Sequence, residues 1–138
     1  MEITEIRIYP LDATHGHGKL KGFCDLVFDD VFKVRGLRII QGPEQLFVAM
    51  PSKQRTDHCV ACDHKNRVLD CYCGGCGIKL PRNRIPFDGE GRPLIFCDVV
   101  HPITSEFRYV IERAVIRFYL DQSQEMLRIA EGTRRVSE

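Results

Sequence analysis

The 138-residue chain contains no stretch of about eighteen or more apolar residues, so no transmembrane helix is expected. Its opening, MEITEIRIYP, alternates charge with isoleucine and lacks the basic-then-apolar order of an export signal, which predicts a cytoplasmic protein. Charge of one sign is missing as well. With 20 Lys and Arg against 19 Asp and Glu the net charge is +1, so any contact with nucleic acid must rest on a local patch. Histidines number 5, and no Ser/His/Asp or paired-carboxylate constellation can be built from the spacing, so catalysis is not expected. A disulfide framework is disfavoured too: the cysteines number 7, an odd count, and most lie in close pairs, which in a reducing compartment points to metal binding.

What is present is a concentration of thiols. Residues 59–76 read CVACDHKNRVLDCYCGGC. Cys59 with Cys62, and Cys73 with Cys76, are two C-x-x-C pairs about a hairpin apart, a spacing at which four thiolates converge on one tetrahedral ion, and zinc is the expected metal. Four protein ligands leave no position for water, so the site is expected to be structural. A segment this polar has little core, and metal binding, on the order of 10 kcal/mol or more in zinc-finger peptides, is what folds it. Cys71 is left over; in a strand approaching the knuckle it points to the same side as Cys73 and is expected near the ion without binding it. His58 and His64 are alternative ligands, and thiol–disulfide exchange is the competing chemistry. Gly74, Gly75 and Gly77 permit the tight backbone that turns amides toward thiolate sulfurs. Just beyond, Lys79, Arg82 and Arg84 form a basic cluster for phosphate, with Tyr72 and Phe87 as stacking candidates. Over residues 54–93 the bias is only mildly positive, so a protein partner is as reasonable a use of the module as nucleic acid.

The flanks read as strands and a helix. Ile3 to Tyr9 alternates, with Ile6 and Ile8 on one face and Glu5, Arg7 and Tyr9 on the other. His15 and His17 sit in a glycine-containing loop and are expected to be solvent-exposed. Lys19 to Phe28 and Val31 to Ile40 form a hairpin about Asp29-Asp30, Gly36 marks a bulge or bend, and Cys24 reads as a buried, inert thiol. After a turn at 41–44, Leu46 to Met50 is a fourth strand, which suggests an antiparallel meander. Leu94 to Val100 is a further strand-like run. Thr104 or Ser105 then caps a helix whose Ile111, Ala114, Val115 and Phe118 are expected to face the sheet, with Tyr109, Glu112, Arg113, Ile116 and Arg117 opposite. From Asp121 to Glu138 a second amphipathic stretch, with Met126, Leu127 and Ile129 as anchors, fades into a mobile polar tail.

Leu46-Phe-Val-Ala-Met-Pro-Ser-Lys53, Asp98-Val-Val-His-Pro-Ile103 and Arg108, with Ile3-Thr-Glu-Ile-Arg-Ile8 and Arg38-Ile-Ile40, resemble the stage V sporulation protein G (SpoVG) family over roughly residues 1–53 and 94–120. The resemblance implies a small α+β domain, an antiparallel sheet with a C-terminal helix, dimeric through strand pairing, acting as a DNA- or RNA-binding regulator through basic residues near that helix. Carried onto this chain those are Arg108, Arg113 and Arg117, although the family's lysine beside Arg108 is absent and Thr104 to Glu138 balances six arginines with six acids. The family joins its two blocks by a short hairpin; here about forty residues, 54–93, intervene and look like an inserted zinc ribbon. Residues 121–138 are expected to form a C-terminal helical extension and tail. The expectation is a homodimeric nucleic-acid-binding regulator with a structural zinc. The alternative is an adaptor that docks a protein through the ribbon and dimerises through the SpoVG-like part.

Overall fold

The computed structural model describes residues 1–12 and 18–136, so His15, His17 and the last two residues of the tail lie outside the described residues. The chain divides into two compact units, one made of Met1–Pro51 with Val100–Glu138 and the other of Ser52–Val99.

In the first unit, β1 (Ile3–Pro10), β2 (Leu20–Phe28), β3 (Phe32–Gln41) and β4 (Leu46–Ala49) form one sheet in the order β1-β2-β3-β4. Every neighbouring pair is antiparallel, so the meander legible in the sequence is the observed topology. The β2–β3 connection turns on Asp29 (φ 52°) and Asp30 (φ 57°). The Val31 amide closes this turn on the Phe28 carbonyl at 3.0 Å. Two successive positive φ values match the right-handed twist of the flanking strands, and aspartate tolerates them better than most side chains. Gly36 is indeed a bulge. Cys24 pairs with Leu37 and Leu26 with Val34, so Asp25 alone faces both Arg35 and Gly36. Gly36 supplies the left-handed φ of 84° that this needs, and its amide donates to Asp25 Oδ1 at 3.2 Å.

Helix α1 spans Ser105–Val136, 32 residues, or about 48 Å at 1.5 Å per residue. Its start is set by Thr104, whose Oγ1 accepts the Phe107 amide at 3.2 Å. Ile111 and Val115 enter the core beside Leu26, Leu37 and Ile39, with Phe107, Ile116 and Tyr119 packed partly buried around them. This corrects the expected phase of the helix. Ile116 faces the core side, and Phe118 is 42% exposed, because the buried line runs through 107, 111, 115 and 119. The amphipathic stretch that begins at Asp121 continues α1 without interruption. Met126, Leu127 and Ile129, expected as anchors, are exposed. Cys24, as expected, is fully buried, and burial pushes its thiol up to about 12.

In the second unit, β5 (Ser52–Gln54) pairs with β8 (Phe96–Asp98), and β6 (Thr56–His58) pairs with β7 (Lys65–Arg67). The run Leu94 to Val100 thus yields a strand of only three residues, Phe96–Asp98. No helix among the described residues is long and apolar enough to cross a membrane.

Candidate metal centre

Two short turns built to one plan create the site. In the first, the Cys59 amide donates to the His64 carbonyl at 2.9 Å while the Cys59 carbonyl accepts the Asp63 amide at 2.8 Å. In the second, the Cys73 amide donates to the Ile78 carbonyl at 2.9 Å while the Cys73 carbonyl accepts the Gly77 amide at 3.0 Å. Asp63 (φ 64°) and Gly77 (φ 81°) hold equivalent left-handed positions. Strands β6 and β7 present the first turn, and the antiparallel bridge Tyr72–Lys79 presents the second.

The two turns bring Cys59, Cys62, Cys73 and Cys76 together, with one sulfur each and all four within 4.8 Å of one another. Cys59 and Cys76 sulfurs are 3.8 Å apart and those of Cys62 and Cys73 are 3.5 Å apart. A tetrahedron with metal–sulfur bonds of 2.3 Å has edges of about 3.8 Å. The donor set therefore fits one tetrahedral ion.

Backbone amides support the same reading. Ala61 donates to Cys59 Sγ at 3.4 Å, Gly75 to Cys73 Sγ at 3.3 Å and Cys76 to Cys73 Sγ at 3.5 Å. These donors favour the thiolate. The Cys76 amide, with Asn66 and Gly75, lowers the Cys73 thiol to about 5. The backbone of His64 favours ionised Cys62, but the neighbouring sulfurs of Cys73, Cys76 and Cys59, together with burial, outweigh it and push Cys62 up to about 12. Four crowded thiols cannot all ionise without a cation, and a bound dication supplies the charge that lets them do so.

Packing around the quartet explains the glycines. A Cβ on Gly75 would lie 2.8 Å from the Cβ of His64 and 3.2 Å from Cys62 Sγ, so only glycine lets the two turns meet. Cys71 is exposed and stands outside the four-sulfur set, as do His58 and His64. The His58 ring is 3.1 Å from the Asp63 carbonyl.

Two residues of this unit do work that the sequence did not announce. Asn66, 3% exposed, accepts the Gly74 amide at 3.0 Å and donates to the His64 carbonyl at 3.2 Å, joining one turn to the other. Arg84 is turned inward, with 12% of its side chain exposed. It pairs with Asp57 and donates to the carbonyls of Asp70 (2.7 Å), Pro81 (3.0 Å), Val68 (3.3 Å) and Arg67 (3.4 Å). A guanidinium so engaged is not offered to phosphate, and this corrects its placement in a surface cluster with Lys79 and Arg82. Those two are exposed, as are Tyr72 and Phe87.

In the first unit, Arg108, Arg113 and Arg117 are all exposed on α1. The Arg113 guanidinium lies 6.0 Å from the Tyr109 ring centroid and donates to its hydroxyl at 3.4 Å.

Comparison with known proteins gives the family. The SpoVG family model matches residues 1–121. A protein of Staphylococcus carnosus (strain TM300) called putative septation protein SpoVG is 31% identical over 127 residues, covering 92% of this chain and 81% of its own. One of the same name from Archaeoglobus fulgidus is 30% identical over 121 residues, covering 88% of this chain and 96% of its own. Another, from Staphylococcus aureus (strain JH9), is 29% identical over 138 residues, covering 100% of this chain and 98% of its own. With the match running from the first strand into the helix, the chain belongs to the SpoVG family.

Proposed function

We propose that this protein is a non-enzymatic, homodimeric nucleic-acid-binding regulator whose Ser52–Val99 unit is folded by one structural zinc ion. The observation that carries the nucleic-acid reading is the ridge Tyr109, Arg113 and Arg117 on α1, spaced i, i+4, i+8 and exposed throughout. Two guanidinium groups and an aromatic ring in one line offer charge for phosphate and a flat face beside it. Arg108 begins the same stretch of helix. Asp121 ends the ridge and limits its length, in keeping with a chain of near-zero net charge.

Zinc is favoured among metals by a closed set of four sulfurs at tetrahedral spacing. Cys59, Cys62, Cys73 and Cys76 would hold it. When bound it supplies positive charge and cross-linking, with no open position for substrate. A homodimer would bury apolar side chains that the sheet unit leaves exposed, Val31 and Ile103 among them.

Labelled DNA and RNA titrated at two salt concentrations test the reading, together with elemental analysis and solution mass. Each phosphate contact contributes about −0.9 to the slope of log K against log salt on duplex DNA. Reversing Arg113 and Arg117 to glutamate should therefore flatten the slope by about 2 and weaken binding at least tenfold. Absence of binding at low salt, or binding indifferent to salt, overturns it.

A further inference from the structure

The Ser52–Val99 unit carries a concavity of about 450 Å³ between residues 68–72 and 79–85. We propose that it is a second nucleic-acid contact, taking a base of a single strand against Tyr72 while Lys79 and Arg82 meet the adjoining phosphates. The inference rests on the nucleic-acid reading above and names the form of nucleic acid that this unit takes.

The groove is built before any ligand arrives. Its floor is apolar, with Val68 6% and Leu80 5% exposed, and Leu69 stands half-exposed at the side. Its two walls are tied together twice. The Leu80 amide donates to the Cys71 carbonyl at 2.8 Å, and Arg84 spans from the Pro81 carbonyl on one wall to the Val68 and Asp70 carbonyls on the other. A width fixed in this way suits a flat, rigid guest, because little side-chain freedom remains to be lost on binding.

The rim has the chemistry of a single-strand site. Tyr72 is 62% exposed, so one face of its ring is open to stack. It is bridged antiparallel to Lys79, and residues directly opposite across a bridge project to the same side of the backbone. The ammonium group can therefore reach the edge of whatever stacks on the ring. Arg82 adds a second cation, and neither Lys79 nor Arg82 enters an ion pair among the described residues. The one acid lining the groove, Asp70, is already engaged. Its Oδ2 accepts the Arg67 amide at 2.9 Å and its Oδ1 is 3.4 Å from Arg67 Nε. Two unspent cations beside an open aromatic ring complement a phosphate–base–phosphate step, and a base offers its face to Tyr72 only when it is out of a duplex.

The metal-loaded, full-length protein is titrated with a labelled twenty-nucleotide oligo-dT, the matching oligo-U and a twenty-base-pair duplex. Tyr72→Leu should weaken the single strands about tenfold and leave the duplex unchanged, and Tyr72→Phe, which keeps the ring, should bind as the native protein does. Lys79→Gln with Arg82→Gln should flatten the single-strand salt slope by about 1.4. The chain has no tryptophan, so tyrosine emission is read directly, and stacking should quench it in the native protein and less in Tyr72→Leu. Metal content measured on each variant shows that the unit is still folded. If Tyr72→Leu and Tyr72→Phe bind single strands as tightly as the native protein, the groove belongs to another ligand, a peptide being the next candidate, and this inference alone is overturned. If the native protein binds neither strand nor duplex at low salt, the reading of the α1 ridge fails and this one fails with it.

Discussion

The sheet unit shuts Cys24, Leu26, Leu37, Ile39 and Val115 almost completely from water, whereas the buried apolar cluster of the Ser52–Val99 unit is only Cys59, Cys73 and Leu80. In the first, side chains from β2, β3 and α1 exclude solvent and the hydrophobic effect does the holding. In the second, two of the three cluster members belong to the four-cysteine set that could hold a metal ion. What remains is Leu80, Val68 outside the cluster, a hydrogen-bonded asparagine and an inward-facing guanidinium. One chain thus contains a unit stabilised by area and a unit stabilised by a few directed bonds, and the two should fail under different insults.

The largest separation should come from metal removal. Stripping a bound ion with a chelator should cost the second unit binding free energy on the order of 10 kcal/mol, and replacing Cys76 by serine, which leaves three of the four sulfurs, should cost part of it. Amide resonances of residues 52–99 should collapse while those of β1 to β4 persist; loss of both sets together would break the comparison. Acid should act in the same direction, because ligands must be deprotonated and protons compete with metal. Metal release measured against pH should therefore rise as pH falls.

The converse experiment is Leu37→Ala, which opens a cavity in the sheet core and should cost about 3 kcal/mol. Thermal unfolding of the sheet should come earlier with metal content unchanged. Arg84→Met should be smaller, about 2 kcal/mol, since it leaves Asp57 partly exposed to water but strands several carbonyls. Its effect should appear as faster amide exchange at residues 67–70 and 81.

The smallest expected effect is at Asp88, whose carboxyl the amides of Arg92 and Glu90 hold below the usual carboxylate range. A carboxylate with a lowered folded pKa stabilises above its unfolded pKa, and the contribution is lost as pH falls through the lowered value. Asp88→Asn should speed exchange of the Glu90 and Arg92 amides at neutral pH and remove the acid dependence of that exchange.

The meander, the Asp29-Asp30 turn and the Gly36 bulge were legible because each depends on neighbours in sequence: alternation, paired turn residues, one glycine in a strand. The four cysteines were legible for the same reason, since ligand spacing is a local code. The phase of α1 was not. Helical periodicity says that one face is apolar, but Ile111 and Val115 admit either Phe118 or Ile116 as a neighbour, and only the sheet chooses. The helical character of residues beyond Asp121 was legible, and their unbroken continuity with α1 follows from Asp121 to Gln124, which is polar but contains no proline or glycine to break the helix. Arg84 was misread for a reason related to that of the helix phase. Next to Lys79 and Arg82 it looks like part of a surface cluster, and the carbonyls of residues 67–70 that capture it lie at a distance in sequence that no motif records.

Because the two cysteine turns share one hydrogen-bonding plan, burial alternates along the quartet: Cys59 and Cys73 are covered, Cys62 and Cys76 are open. Each turn therefore lends the site one covered and one exposed cysteine. A chelator or an oxidant meets Cys62 and Cys76 first, so loss of a bound ion should pass through a state still held by Cys59 and Cys73. Retention of the metal would then be a matter of how quickly the exposed pair can close again.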